Sequence, residues 1–262
     1  MKTIILAGGA GTRLGPLTRA TNKHLLMVND RPMIHFALAC AAELGASETA
    51  IVTGPGWIDS FRDAVGAPSR WDMCGISYLS QDAPKGVAHA LLMAREFADG
   101  EPCCVLLGDN VFLDPPTLAA RGFFAQPAGA MVFLASVENP RAFGVAEIES
   151  DRIVAIHEKP DRPLGSLVVT GLYLYDGTVF DRIARLGPST RGEFEVTDLN
   201  MAYLADHALA HATLDGRWID CGEPETLLQA AALVASEPTA LTHWPRVHAG
   251  VPSRETKERT VR

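Results

Sequence analysis

The chain has 262 residues, 47% hydrophobic and 21% charged, enough apolar material for one sizeable core. Its formal net charge of -8 excludes a general nucleic-acid or membrane-surface binder, which needs a basic face to displace counterions, but not a phosphate ligand held by a few placed cations. Cys40, Cys74, Cys103, Cys104 and Cys221 form no Cys-x-x-Cys pair and are odd in number, which excludes a disulfide framework and a zinc site.

The opening run from Met1 to Leu6 is too short and weakly apolar for a signal peptide, and no stretch is long enough to span a membrane, so a cytoplasmic protein is expected. Apolar runs over residues 3–6, 49–53, 76–79, 103–107 and 131–135 predict strands. Amphipathic stretches over 32–44, 58–65 and 86–97 predict helices between them. Strands that are apolar throughout, separated by helices, imply a parallel sheet covered on both faces. Further on, runs at 145–148 and 153–156 around Ser150-Asp151-Arg152 predict a hairpin, 168–175 another strand, and 178–185, 195–205 and 223–235 helices. This predicts one domain over residues 1–235 on a mixed sheet. Pro238, Pro245, Pro252 and a charged run to Arg262 imply a poorly ordered tail over 236–262.

In open α/β sheets ligands bind beyond the carboxyl ends of the strands, so the residues after each strand carry the chemistry. The first strand runs into Ala7-Gly8-Gly9-Ala10-Gly11-Thr12-Arg13-Leu14. Glycines let consecutive amides approach a phosphate closely. A P-loop would need Gly-Lys-Ser/Thr where Gly11-Thr12-Arg13 stands, and a dinucleotide fingerprint would need glycine where Leu14 stands. Taken alone the loop is a turn that can face phosphate.

The wider pattern is more specific. The run from Leu6 through Thr18, then Asn22-Lys23-His24-Leu25-Leu26, then Arg31-Pro32-Met33-Ile34, closely resembles the signature of the sugar nucleotidyltransferases, and within them the glucose-1-phosphate thymidylyltransferases. The resemblance covers about residues 2–235 and implies an α/β/α three-layer, Rossmann-like fold with a mixed, mostly parallel sheet. It also implies that Leu6, Gly8, Gly9 and Gly11 bound the nucleotide and that Arg13 and Lys23 act on its triphosphate. Preplaced cations and amides stabilise the charge gathered by a phosphoryl transition state.

Asp109 ends an apolar strand in Gly108-Asp109-Asn110, and Asp220 lies in Trp218-Ile219-Asp220-Cys221-Gly222. A lone aspartate at a strand end is usually a cap or turn residue. The family's Gly-Asp-Asn and Trp-x-Asp-x-Gly motifs instead imply that both hold Mg²⁺, with Asp109 catalytic. By the same resemblance Gln81 and Gly86 read a pyrimidine. Gly144, Glu158, Lys159, Gly171, Tyr173 and Arg191 face the sugar phosphate. Met27 stands where the family usually has proline, and Cys221 where threonine is common. His35, His207 and His211 have no triad partner at recognisable spacing and read as structural.

The implied partners are dTTP or UTP and a sugar 1-phosphate, glucose 1-phosphate first. The alternatives are a UTP-dependent uridylyltransferase and a non-catalytic nucleotide-sensing relative. Thymidylyltransferases of this type often carry a further C-terminal helical segment for regulation and subunit contacts. The proline-broken tail implies that such feedback is absent or altered, and leaves homo-oligomerisation open.

Overall fold

In the computed structural model, which describes residues 1–236, the first half alternates strand and helix as the apolar runs require. β1 (Lys2–Ala7) passes through 3-10 segments at Thr12–Thr18 and Lys23–Leu25 and a small hairpin, β2 (Met27–Val28) with β3 (Arg31–Pro32). Then follow α1 (Ile34–Glu43), β4 (Glu48–Thr53), α2 (Ile58–Val65), β5 (Gly75–Ser80), α3 (Val87–Leu92), α4 (Arg95–Ala98) and β6 (Cys103–Leu107). The second half holds β7 (Asn110–Phe112), α5 (Thr117–Ala125), β8 (Ala130–Ser136), β9 (Gly144–Glu149), β10 (Arg152–Glu158) and β11 (Leu167–Tyr175). It closes with α6 (Val179–Ile183), α7 (Val196–Ala205), β12 (Leu209–Thr213), β13 (Trp218–Asp220) and α8 (Pro224–Ser236).

The main sheet runs β10-β9-β11-β6-β1-β4-β5, with β8 also paired to β11 and β12 to β8. β6, β1, β4 and β5 are parallel, so Leu107, Ala7, Thr53 and Ser80 finish at one edge. β11 runs antiparallel to β6, which brings its first residues to that same edge. Alternation along the strands feeds two cores. Ile5, Cys104, Leu106, Leu172 and Leu174 pack on the α1 face, while Ile4, Leu6, Cys103, Val105 and Tyr173 pack on the α3 face. Fully buried apolar surface contributes about 25 cal/mol per Å² on each face, which makes this double-sided sheet the rigid platform of the molecule.

The structure departs from the sequence expectations in particular places. The helix expected over 86–97 is divided at Ala94, whose φ of -96° and ψ of 12° leave helical geometry before α4 begins. β7, β12 and β13 are strands of 3 to 5 residues, too short to show a period, and α5 was not signalled. Ser236 ends α8, and the tail expected beyond it lies outside the described residues. Among the described residues no helix is long and apolar enough to cross a membrane.

Candidate active site

Immediately beyond β1 the chain turns on Gly8–Gly11, with Gly11 in the left-handed region at φ 64°. A Cβ on Gly8 would lie 2.9 Å from Gln81 Oε1, and one on Gly9 3.1 Å from Lys23 Cε. The glycines therefore let Gln81 and Lys23 press against the loop. Lys23 is set by its neighbour: Asn22 donates to Ala7 O (3.3 Å) and accepts from the His24 amide (3.0 Å), and its Oδ1 meets His24 Nδ1 at 2.8 Å. This cap aims Lys23 across the site, where its ammonium pairs with the Asp109 carboxylate.

Asp109 follows β6 and is buried. Burial pushes its carboxyl up, but the Lys23 charge and the hydrogen bonds from Lys23 and Asn110 together hold it well below the usual range. Asp220 comes from the other direction, at the end of β13, whose pairing with β7 sets Asp220 opposite Asn110. The Asn110 side chain joins the two acids: its Nδ2 donates to Asp109 Oδ1 (3.1 Å) and Asp220 Oδ2 (3.2 Å). Its Oδ1 accepts from Trp218 Nε1 (2.6 Å) and Gly171 N (3.0 Å). No Cβ could be added at Gly171, where it would meet Asn110 at 2.5 Å. Burial and the Asp109 charge raise the Asp220 carboxyl to about 6, although Gly222 N donates to it at 2.9 Å.

One buried and one partly buried carboxylate sharing an amide, with one lysine between them and the loop, suit a hard divalent cation completed by ligand oxygens. Among the described residues no group of three or more His, Cys, Asp or Glu side chains is disposed to hold a metal, so the protein alone offers no full cage. His24 is fully buried under Gly108, and burial with the Lys23 charge lowers its pKa to about 3. It is a neutral structural residue. Arg13 is half exposed, its Nη1 2.9 Å from Glu223 Oε1.

Two cavities meet at this centre. One, of about 430 Å³, is walled by Leu6, Gly8, Gly9, Gly11, Gln81 and Gly86, and the other, of about 230 Å³, by Gly144, Glu158, Lys159, Gly171 and Tyr173. Lys23 and Asp109 belong to both. A larger groove of about 540 Å³ lies between β10 and β12, away from the converging strand ends.

In the first cavity Gln81 is buried and its Nε2 faces His89 Nδ1 (3.0 Å) and Gly86 O (3.4 Å), which leaves its Oε1 beside Gly8 as an acceptor. Gly86 has a backbone reason to be glycine: φ is 103°, and a Cβ would meet Phe194 O at 2.5 Å. In the second, Gly144 and Glu158 pair across β9 and β10. Glu158 accepts from Thr197 Oγ1, and Lys159 Nζ (3.3 Å) and Arg191 Nη1 (3.5 Å) lie on its other oxygen. Arg191 also reaches Glu195 (3.4 Å). Burial first, then the charges of Glu158, Asp109 and Asp220, raises the Tyr173 phenol well above its ordinary value.

The site residues expected from sequence thus fall on one connected surface. Sequence reasoning missed Asn110, Trp218 and Thr197 as functional parts, although Asn110 and Trp218 stand inside the quoted motifs. Thr197 carries no signal of its own, because its partner Glu158 is 39 residues away.

Comparison with known proteins agrees with this geometry. The family model described as nucleotidyl transferase matches residues 2–237. A glucose-1-phosphate thymidylyltransferase of Neisseria meningitidis serogroup A is 43% identical over 239 residues, covering 89% of this chain and 82% of that protein. One from Mycolicibacterium smegmatis is 36% identical over 237 residues, with the same coverage of each. Among solved structures, a Bacillus anthracis protein described as a glucose-1-phosphate thymidylyltransferase, in complex with sucrose, superposes with a TM-score of 0.84 at 41% identity, covering 89% of this chain and 94% of that one. A UDP-glucose pyrophosphorylase complexed with UDP-glucose gives 0.80 at 26% identity, covering 90% and 98%. Arriving by way of its glycine loop, its lysine and its paired aspartates, the chain belongs to the nucleotidyl transferase family.

Proposed function

We propose that this protein transfers a nucleotidyl group from a pyrimidine nucleoside triphosphate, dTTP first, to a sugar 1-phosphate, glucose 1-phosphate first, releasing pyrophosphate. The observation that carries it is the pair of cavities sharing Lys23 and Asp109, so that a nucleotide in one and a sugar phosphate in the other meet at an acid and a cation. The 36–43% identity to proteins named as thymidylyltransferases supports the choice of dTTP and glucose 1-phosphate.

Gly8, Gly9 and Gly11 present the loop to the triphosphate, and Lys23 and Arg13 offset its charge. A sugar-phosphate oxygen attacks the α-phosphorus in line with the departing pyrophosphate, forming the new P–O bond as the old one breaks. The nucleophile is already an anion, so no enzyme base is required, and catalysis is positioning with charge neutralisation. Asp109 and Asp220 would hold Mg²⁺, which would supply positive charge to offset the charge gathered on the phosphates. Lys159 and Arg191 lie where the sugar phosphate enters, and Glu158 and Gly144 meet the ring hydroxyls.

The free Gln81 Oε1 favours a base with an N–H at its imide edge, thymine or uracil, over cytosine, whose ring nitrogen there is an acceptor. UTP is therefore the second substrate to try. Steady-state turnover with dTTP, UTP and CTP on glucose 1-phosphate tests this: dTTP is expected to lead, and preference for CTP overturns the base assignment. Full pyrophosphate release by a Lys23→Ala protein would overturn the role given to Lys23, whereas a wild-type protein that binds nucleotide but releases no pyrophosphate would favour a non-catalytic relative.

A further inference from the structure

Two side chains on the sugar side take no part in the chemistry above. Thr170 in β11 and Asn200 in α7 are each 1% exposed. Both line the cavity that contains Glu158 and Tyr173. Among the described residues, Thr170 Oγ1 and Asn200 Nδ2 have no hydrogen-bond partner. An unpaired buried donor costs free energy comparable to a lost hydrogen bond, so each such group calls for an explanation, and at a cavity wall a ligand that completes it is one.

The surroundings fix which atom of Asn200 is on offer. Its Oδ1 accepts from Tyr175 Oη at 2.8 Å. Tyr175 stacks between Tyr173 and Tyr203, at 6.0 and 5.6 Å between ring centroids. Tyr203 in turn donates to Asp176 (3.0 Å) and lies under Arg182 at 4.1 Å. The hydrogen bond from Tyr175 engages the acceptor end of Asn200 and leaves Nδ2, on a residue that lines the cavity, as its unpaired donor. Thr170 is fixed by the backbone, beside Gly171, whose amide is tied to Asn110, in the stretch where β11 slips register against β8.

We propose that Thr170 and Asn200 are specificity-determining residues that read ring hydroxyls of the sugar. Asn200 Nδ2 donates to a hydroxyl oxygen, and Thr170 Oγ1 donates or accepts beside it. A neutral hydroxyl and amide complement a polyol, whereas the anionic phosphate is served by Lys159 and Arg191. A sugar lacking the matching hydroxyl leaves these groups unpaired, and sites built to hydrogen-bond a substrate hydroxyl reject the deoxy analogue far more strongly than an apolar pocket does. The inference rests on the sugar 1-phosphate reading above.

The test is kcat/KM for wild type, Thr170→Val and Asn200→Ala with glucose 1-phosphate and its 2-, 3-, 4- and 6-deoxy analogues, at saturating nucleotide. Wild type is expected to disfavour at least one deoxy analogue by roughly 10–100-fold. In both variants that ratio should contract about tenfold or more, with the nucleotide KM unchanged. Thr170→Val is the safer variant, because it exchanges an unpaired hydroxyl for a methyl of the same shape, and the free protein should melt no lower than wild type. Unchanged deoxy-sugar discrimination in Thr170→Val overturns the inference while leaving the transferase reading intact. A lowered melting temperature with unchanged discrimination would assign Thr170 to structure alone, and also overturns it. Failure of wild type to turn over any sugar 1-phosphate sinks the parent reading instead.

Discussion

The two walls of the site are built in different ways. The nucleotide wall comes in large part from one contiguous stretch, Leu6 to Lys23, together with the ends of parallel strands that converge because each βα unit delivers its strand to the same edge. Its one buried cation is paired across the centre, Lys23 on Asp109. The sugar wall is gathered from β9, β10, β11 and α7, and it reaches the edge only because β11 runs against β6. Its charges pair among themselves, Glu158 with Lys159 and Arg191, and it keeps two buried polar atoms unpaired. The first wall is a preset electrostatic trap for phosphate. The second is a network that must exchange partners when a sugar enters.

The largest effect is expected where the walls meet. Asp109→Asn keeps the shape but removes the charge that holds Lys23 and one of the two carboxylates, and should lower pyrophosphate release by about 10³-fold or more, on the scale of deleting a preorganised electrostatic group. Breaking a buried pair also leaves Lys23 without its counter-charge, so the free protein should lose on the order of 3 kcal/mol by denaturant titration. A variant with near-normal turnover would mean that the walls do not meet at Asp109.

The next effect separates the two acids by pH. Burial and Asp109 raise Asp220 to about 6 from an ordinary 3.8. A raised acid retains its proton in the folded, metal-free protein, so the stability it lends is full below about 3.8 and is lost as pH climbs through about 6. His24 acts with the opposite sign: lowered to about 3 by burial and then Lys23, it stabilises above 6.5, and that stability drains away as pH falls toward 3. Divalent metal needs Asp220 ionised, so affinity for Mn²⁺, followed by its spin-resonance signal, should rise about tenfold from pH 5 to 7 and then level off. A flat profile would mean that Asp220 is not a ligand.

On the sugar wall, Glu158→Gln retains an acceptor for Thr197 but removes the charge that gathers Lys159 and Arg191. The KM for sugar 1-phosphate should rise roughly tenfold, the size expected for one charge-assisted hydrogen bond. The KM for nucleotide should stay within twofold, on the order of measurement scatter for a residue that does not touch the ligand. An equal rise in both constants would erase the division between the walls.

That division also decides what could be read from sequence. The glycine loop was legible by itself only as a turn that can face phosphate, and the parts given to Arg13 and Lys23 came through family resemblance, carried by a compact local motif. Strands β1, β4 and β6 were legible from the residues themselves, since strands buried on both faces leave unbroken apolar runs. The sugar wall was legible only through family resemblance. Thr197 meets Glu158 and Asn200 meets Tyr175 across separations that no local pattern encodes. Asn110 was quoted beside Asp109, yet its part as the link between Asp109 and Asp220 emerges only when β13 pairs with β7. β12 was likewise decided by its pairing with β8 rather than by local propensity.

The smallest expected effect comes from the exposed partner of Arg13, a side chain that lines the sugar-side cavity. Its ion pair with Glu223 leaves the two side chains 50% and 43% exposed. Exposed pairs of this kind contribute about 0–1 kcal/mol, because water screens them and ordering two long side chains is unfavourable. Glu223→Gln should therefore shift the denaturation midpoint by no more than the equivalent of about 0.5 kcal/mol. It should also change kcat/KM for the nucleotide by less than roughly threefold. Arg13→Gln should leave stability equally unmoved but lower the same constant by about 10–100-fold, since the guanidinium is needed where triphosphate charge accumulates. The contrast between the two variants is the informative quantity. Equal losses would show that Glu223 holds Arg13 in its working position. A loss in Arg13→Gln alone would show that Glu223 is only the resting partner of a side chain free to swing onto phosphate, as the low worth of the pair requires.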